Sequence, residues 1–157
     1  MDMAVWIAAL SFLVAALSAL YARRVWSEAR RTNLLALHTN RIEVFRAFNN
    51  LRHAIQELGM SIERERVLPF LHPSRESRFY FSEQKTSQLL IEYFDTCFAL
   101  ADVSTKLNRD RAHLTEAEIK TRYTEQDKLS EQEQSLFKAA EKQLEKELYM
   151  SVTRRWF

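Results

Sequence analysis

Hydrophobic and polar positions divide this chain sharply at residue 22. Met3 to Ala22 reads MAVWIAALSFLVAALSALYA, without a charge, a glycine or a proline, and Arg23 and Arg24 follow at once. At about 1.5 Å rise per residue the run spans roughly 30 Å as a helix, the thickness of a bilayer's hydrocarbon core. It is apolar or small all round, unlike a buried core helix, which carries one apolar stripe. A cleaved secretory signal would place its positive charges before a shorter apolar stretch. Here Asp2 precedes the run and the arginines come after it. The pattern predicts a transmembrane anchor over residues 1–24.

Beyond the anchor the pattern changes to a helical period. Leu34, Leu37, Arg41, Val44, Phe48, Leu51, Ile55 and Leu58 step by three and four, a heptad seam in which Arg41 is the one charge. No helix breaker appears before Gly59, a natural C-cap, so anchor and first helix are expected to form one rod of about 80 Å. Leu90, Tyr93, Cys97, Leu100 and Leu107 repeat the rhythm in a central helix over 83–107, with Ser82 as its N-cap. Thr115 and Glu118 form a capping box that opens a third helix over 116–150. Ser130 and Glu133 have the same spacing, so this helix is expected to run whole or to break near Leu129. Residues 60–82 read as the irregular part: a short helical turn is expected over Ile62–Leu68, Pro69 and Pro73 enforce an extended path, and Arg78-Phe79-Tyr80-Phe81 is expected to tuck against the bundle or form a short strand.

The expected fold is therefore all-α, a single transmembrane helix followed by an antiparallel bundle of three or four helices over 25–157 (helices about 25–58, 83–107 and 116–150). Antiparallel packing of the first helix on the central one sets Arg41 opposite about residue 100. Asp102 is then its nearest acid and Asp95 the next. All three are candidate buried polar residues.

Composition supports helices. One glycine and two prolines in 157 residues are too few for the turns of a β-rich domain, and the mean hydropathy of −0.35 with 28% charged residues fits a solvated bundle. The net charge of +2 gives no reason to expect nucleic-acid binding. Arg23, Arg24, Arg30 and Arg31 form a basic juxtamembrane cluster against Glu28. Because Lys and Arg are retained inside, the expected location is the inner (cytoplasmic) membrane, N-terminus outside and the domain in the cytoplasm. The single Cys97 agrees with a reducing compartment.

Chemistry is sparse. His38, His53, His72 and His113 are not spaced as metal ligands, Cys97 falls on an apolar helix face, and no glycine-rich phosphate loop, Ser-His-Asp set or CxxC exists. No catalytic residue, cofactor or metal is expected. An enzymatic site would have to be assembled from Glu92, Asp95, His38 and Arg41. Two features stand out instead. Ala4, Ala8, Ser11, Ala15, Ser18 and Ala22 make one face of the anchor small along its length, which favours close helix packing in lipid. Arg154, Arg155, Trp156 and Phe157 form a basic-aromatic motif suited to a partner, a bilayer interface or bundle packing.

In plan the chain resembles small single-pass bacterial membrane proteins. The expected role is a membrane-anchored scaffold or regulatory subunit that self-associates and binds a cytoplasmic protein. The alternative is a membrane-perturbing effector, antiphage or toxin-like, whose anchors cluster on a cue.

Overall fold

The computed structural model describes residues 3–110 and 113–153, with side chains described except at positions 4, 5, 8, 9, 60 and 150–153. All regular structure among them is helical: α1 (Met3–Leu58), a 3-10 turn (Gly59–Ser61), α2 (Arg64–Val67), a second 3-10 turn (Leu68–Phe70), α3 (Leu71–Tyr80), α4 (Gln84–Asp110) and α5 (Glu116–Thr153). The chain is all-α. By its contacts it separates into two compact units, Met1–Leu37 and His38–Phe157.

Unit 1 is the first part of α1. Its described side chains are exposed throughout, including Trp6, Leu10, Phe12, Leu13, Leu17, Leu20 and Trp26. Among the described residues, no helix is long and apolar enough to cross a membrane. Ala4, Val5, Ala8 and Ala9, which belong to the apolar run, are outside the described side chains.

Unit 2 is a bundle built around an aromatic cluster to which four elements contribute. Phe48 of α1 lies 5.0 Å from both Tyr93 of α4 and Phe137 of α5, and 6.1 Å from Phe70. Val44, Leu51 and Ile55 extend this buried stripe of α1, whereas Leu34, Leu37 and Leu58 of the same seam are exposed. α4 is the central helix: it packs on α5, α3, α2 and the Gly59–Ser61 turn, and buries Thr86, Leu90, Tyr93, Cys97, Leu100, Ser104 and Leu107.

Gly59 ends α1 with φ +55°, a conformation that a Cβ disfavours. The connection after it is helical in pieces: α2 falls within the short turn expected over Ile62–Leu68, whereas the stretch around Pro69 and Pro73 is helical and not extended. Pro69 lies in the short Leu68–Phe70 turn and Pro73 in the first turn of α3, where a missing N–H leaves no helical bond unmade. Ser74 and Ser77, both fully buried, donate to carbonyls of their own helix, Ser74 Oγ to Leu71 O at 2.9 Å and Ser77 Oγ to Ser74 O at 2.6 Å. Small, self-satisfied side chains let α3 lie close against α4.

This helical return corrects the expected topology. Phe70, at the start of α3, meets Phe48 and Tyr93, while Tyr80 at its end meets Arg41. α3 thus runs back along α1, and α4 then runs parallel to α1. α5 is antiparallel to both, pairing Glu133 with Arg52 and Tyr93, and Glu147 with Ser82 and Glu83. The order is up, down, up, down, with the short α3 as the second member.

α5 is continuous from Glu116 to Thr153, with no break near Leu129. Glu133 is not a cap; it faces inward and is 1% exposed. The Thr115 box does form: Thr115 N and Oγ1 donate to Glu118 Oε2 at 2.8 and 2.7 Å.

Candidate functional site

The long polar side chains that are buried in unit 2, Gln126, Glu133 and Glu147, lie on the inner seam of α5. Ile119, Gln126, Glu133, Ala140 and Glu147 recur at seven-residue intervals, and the three polar members are 1 to 2% exposed. A seven-residue period holds one stripe against a partner helix. α4 answers with Thr86, Tyr93, Leu100 and Leu107 at the same interval.

Two of the α5 carboxylates are fully engaged. Arg52 Nη1 donates to both Glu133 oxygens, at 2.8 and 2.7 Å, and the Tyr93 hydroxyl donates to Oε1 at 2.9 Å. The Phe137 ring lies 4.6 Å from the Arg52 guanidinium carbon. Glu147 caps α4 from the neighbouring helix: Glu83 N–H donates to Oε1 at 2.8 Å, Ser82 Oγ to Oε2 at 2.8 Å, and Thr86 Oγ1 to Oε1 at 3.3 Å. A carboxylate there meets the unpaired N–H groups and the positive end of the helix dipole. Ser82, expected as an N-cap, instead donates to this acid. Glu83 accepts from Lys146 at 2.8 Å and from Gln143; the Lys146 contact is the main reason its carboxyl titrates below the ordinary range.

The predicted polar residues are placed differently. Arg41 is half-buried; its Nε donates to the Tyr80 carbonyl at 2.6 Å, and its guanidinium lies over Phe81. Asp102 pairs with Arg64 and, at 2.6 Å, with Lys106. Asp95 is exposed, so it is not a buried polar residue. The cause is the parallel course of α1 and α4, which puts Arg41 beside the start of α4 and Asp102 beside α2. Glu92 and Asp95 are likewise separated from Arg41 along the bundle. Glu133 and Glu147 were missed because acids in a charged helix read as solvated; their seven-residue spacing was the available signal.

Chemical reactivity is suppressed in the core. Cys97 is 0% exposed, and burial pushes its thiol up, as it does the Tyr93 phenol; a nucleophilic cysteine needs the opposite shift. Among the described residues no group of acids, histidines and cysteine is arranged to hold a metal. Clefts are shallow and mixed in polarity. One of about 610 Å³ is lined by Arg64, Glu65, Ser104, Thr105, Asn108 and Arg109, and one of about 180 Å³ adjoins Arg52 and Glu133.

In unit 1, Ser11, Ala15, Ser18 and Ala22 are exposed, as are Arg23, Arg24, Arg30 and Arg31. Arg30 lies over the Trp26 ring at 5.7 Å. The side chains of Ala4 and Ala8, and all of Arg154, Arg155, Trp156 and Phe157, are outside the described residues. The small-residue face does not stop at Ala22. Alanine recurs at 8, 15, 22, 29 and 36, flanked by Ser11, Ser18, Val25, Thr32 and Thr39 at the same interval; every described one of these is exposed.

Comparison of the chain with protein-family models, with curated proteins and with solved structures finds no match in any of the three.

Proposed function

We propose that the protein is a membrane-tethered helical scaffold or regulatory subunit. In this reading residues 3–22 cross the inner membrane once with the N-terminal end outside. The domain from residue 25 lies in the cytoplasm, where it binds a protein partner, and copies associate along the small-residue face of α1. One observation carries the reading. Among the described residues, every exposed large apolar side chain except Leu58, Leu68, Phe79, Tyr123 and Tyr149 precedes residue 38. Each such side chain gains about 1.5–3 kcal/mol on leaving water, and soluble monomers seldom expose contiguous patches beyond a few hundred Å². The described residues alone supply no span that is long and apolar enough. The full sequence of the run adds Ala4, Val5, Ala8 and Ala9 and carries no charge. The unbroken heptad of small residues from Ala8 to Thr39 supports association by a left-handed, close-packed contact.

The reading is tested with the full chain in cells. Membranes washed at alkaline pH should retain it, and alkaline phosphatase fused after Phe157 should be inactive while a fluorescent protein there is bright. Release by the wash overturns the anchor, and an active phosphatase overturns the orientation. Overproduction should leave the membrane potential intact; its collapse would favour the effector role instead.

A further inference from the structure

The arginines that follow the apolar run share one face of α1 and leave its small-residue face clear. Arg23, Arg24, Arg30 and Arg31 all lie in unit 1, on one unbroken helix, so helix geometry fixes their mutual placement. At about 100° per residue they fall within an arc of about 120°, with Ser27 at its centre. Ala15, Ala22, Ala29 and Ala36 fall on the opposite side. All four arginines are exposed, and among the described residues none of them is in an ion pair. The one acid nearby, Glu28, stands at the edge of the arc and is in none either. Like charges gathered on one face repel one another, and an anion lying across them relieves the repulsion.

Depth along the helix is fixed as well. The Cα atoms of Arg23 and Arg24 stand about 1.5 and 3 Å beyond Ala22, and those of Arg30 and Arg31 about 12 and 13.5 Å beyond it. Helical side chains lean toward the N-terminus, over the preceding turn, which here means toward the apolar run. The Arg30 guanidinium follows this rule, lying 5.7 Å from the centre of the Trp26 ring one turn earlier. Trp26 stands about 6 Å beyond Ala22, and headgroups fill roughly the first 5–7 Å outside the hydrocarbon core. Both pairs of arginines thus converge on the depth of lipid phosphate, and an indole with a guanidinium over it suits that layer. Retention of arginines on one side of a membrane depends on their number. A shared face and a common depth are more than retention requires.

We propose that Arg23, Arg24, Arg30 and Arg31, with Trp26, form a binding face for anionic phospholipid, whose phosphates lie around Ser27 between the two pairs of arginines. The proposal rests on the reading of residues 3–22 as a bilayer anchor, and adds the class of lipid that gathers beside it. Lipid and protein then divide the helix between them. Phosphates take the arginine face, and the small-residue face stays open to a second copy.

The test places the full chain in vesicles of equal phosphatidylcholine and phosphatidylglycerol, with Trp26 kept alone in W6F/W156F. One lipid at a time carries bromine high in its acyl chains. Quenching of Trp26 should show phosphatidylglycerol enriched about tenfold or more over phosphatidylcholine beside the helix. R23Q/R24Q/R30Q/R31Q should bring that ratio to about one. S27E keeps every arginine and puts an acid at the centre of the arc, so it should lower the ratio about fivefold, while E28Q should raise it. Salt at about 1 M should collapse the preference. Equal quenching by the two brominated lipids at low salt overturns the proposal, and so does a preference that neither S27E nor salt changes. Trp6, kept alone in W26F/W156F, reports the anchor separately and shows that each variant is inserted. Acyl-chain bromine should quench it whichever lipid carries the bromine, and iodide access to Trp6 overturns the anchor reading itself. Loss of the lipid preference with Trp6 still shielded overturns the lipid face alone.

Discussion

Removing Arg52 should destabilise unit 2 more than the loss of a surface charge would. Arg52→Ala deletes both bonds to Glu133 and leaves that carboxylate, 1% exposed, with the Tyr93 hydroxyl as its remaining donor. Stranding one partner of a buried pair costs about 3–5 kcal/mol, against under about 1 for an exposed pair. The Arg52 side chain is 21% exposed and adjoins a cleft of about 180 Å³, so water screens the residual charge and the loss falls near about 3 kcal/mol. For a unit of this size that is a drop of roughly 10–15 °C in melting temperature. Glu133→Gln keeps the shape and an acceptor, and should cost about 1–2 kcal/mol. Replacing the whole network, Arg52→Leu with Glu133→Leu and Tyr93→Phe, removes every group that would be stranded and should be less harmful than Arg52→Ala alone. Thermal and urea unfolding of the full chain in detergent, followed at 222 nm, measures all three. An Arg52→Ala variant within about 0.5 kcal/mol of the parent, or a triple variant worse than the single one, refutes a buried pair.

Gly59→Ala should cost about 1 kcal/mol from the left-handed backbone alone, since an added Cβ meets nothing within 4 Å; equal urea midpoints for the two proteins would mean that α1 ends without a positive φ. Thr115→Ala removes the reciprocal cap of α5 and should cost about 1 kcal/mol, seen as faster amide exchange in the first turn; unchanged exchange would show that the box does not hold the helix. Burial keeps Tyr93 and Cys97 protonated in the folded state, whereas the unfolded chain releases these protons near pH 9 to 10. The folded state then binds more protons, so stability is full below about pH 9 and falls above it by up to about 1.4 kcal/mol per pH unit for each group; an unfolding midpoint flat from pH 8 to 11 would contradict this. Ala15→Ile and Ala29→Ile should each weaken association while Leu13→Ile leaves it alone, read by crosslinking single cysteines in a Cys97→Ser background; equal crosslinking on both faces would reduce α1 to a plain tether.

Local rules reached far along this chain. The central helix, the Gly59 stop and the Thr115–Glu118 box follow from period and capping, which act within a few residues of sequence. Periodicity also placed Val44, Phe48, Leu51 and Ile55 of α1 and Leu90, Tyr93, Cys97, Leu100 and Leu107 of α4 in the core, but not Phe70 or Phe137, and Leu34, Leu37 and Leu58 of the same seam stay exposed. The course of residues 60–82 depends on something else. Pro69 and Pro73 read as breakers in isolation, but in the first turns of short helices they interrupt no hydrogen bond. That one difference reverses the direction of α4 relative to α1. Arg41 then meets the end of α3 instead of Asp102, and α5 runs back to the start of α4 without a break.

The sequence by itself determined helix content, the end of α1 at Gly59 and the start of α5 at the Thr115–Glu118 box, since each rests on composition or on neighbours within a turn. Tertiary structure alone decided the fate of the charges on α5. Glu133 and Glu147 share the seven-residue period of Ile119 and Ala140, but that period does not name their partners. They are buried because Arg52, Tyr93 and the open N-terminus of α4 lie across the seam with donors to offer. A carboxylate leaves water only where partners forty or more residues away replace its hydration, and no local pattern carries that information.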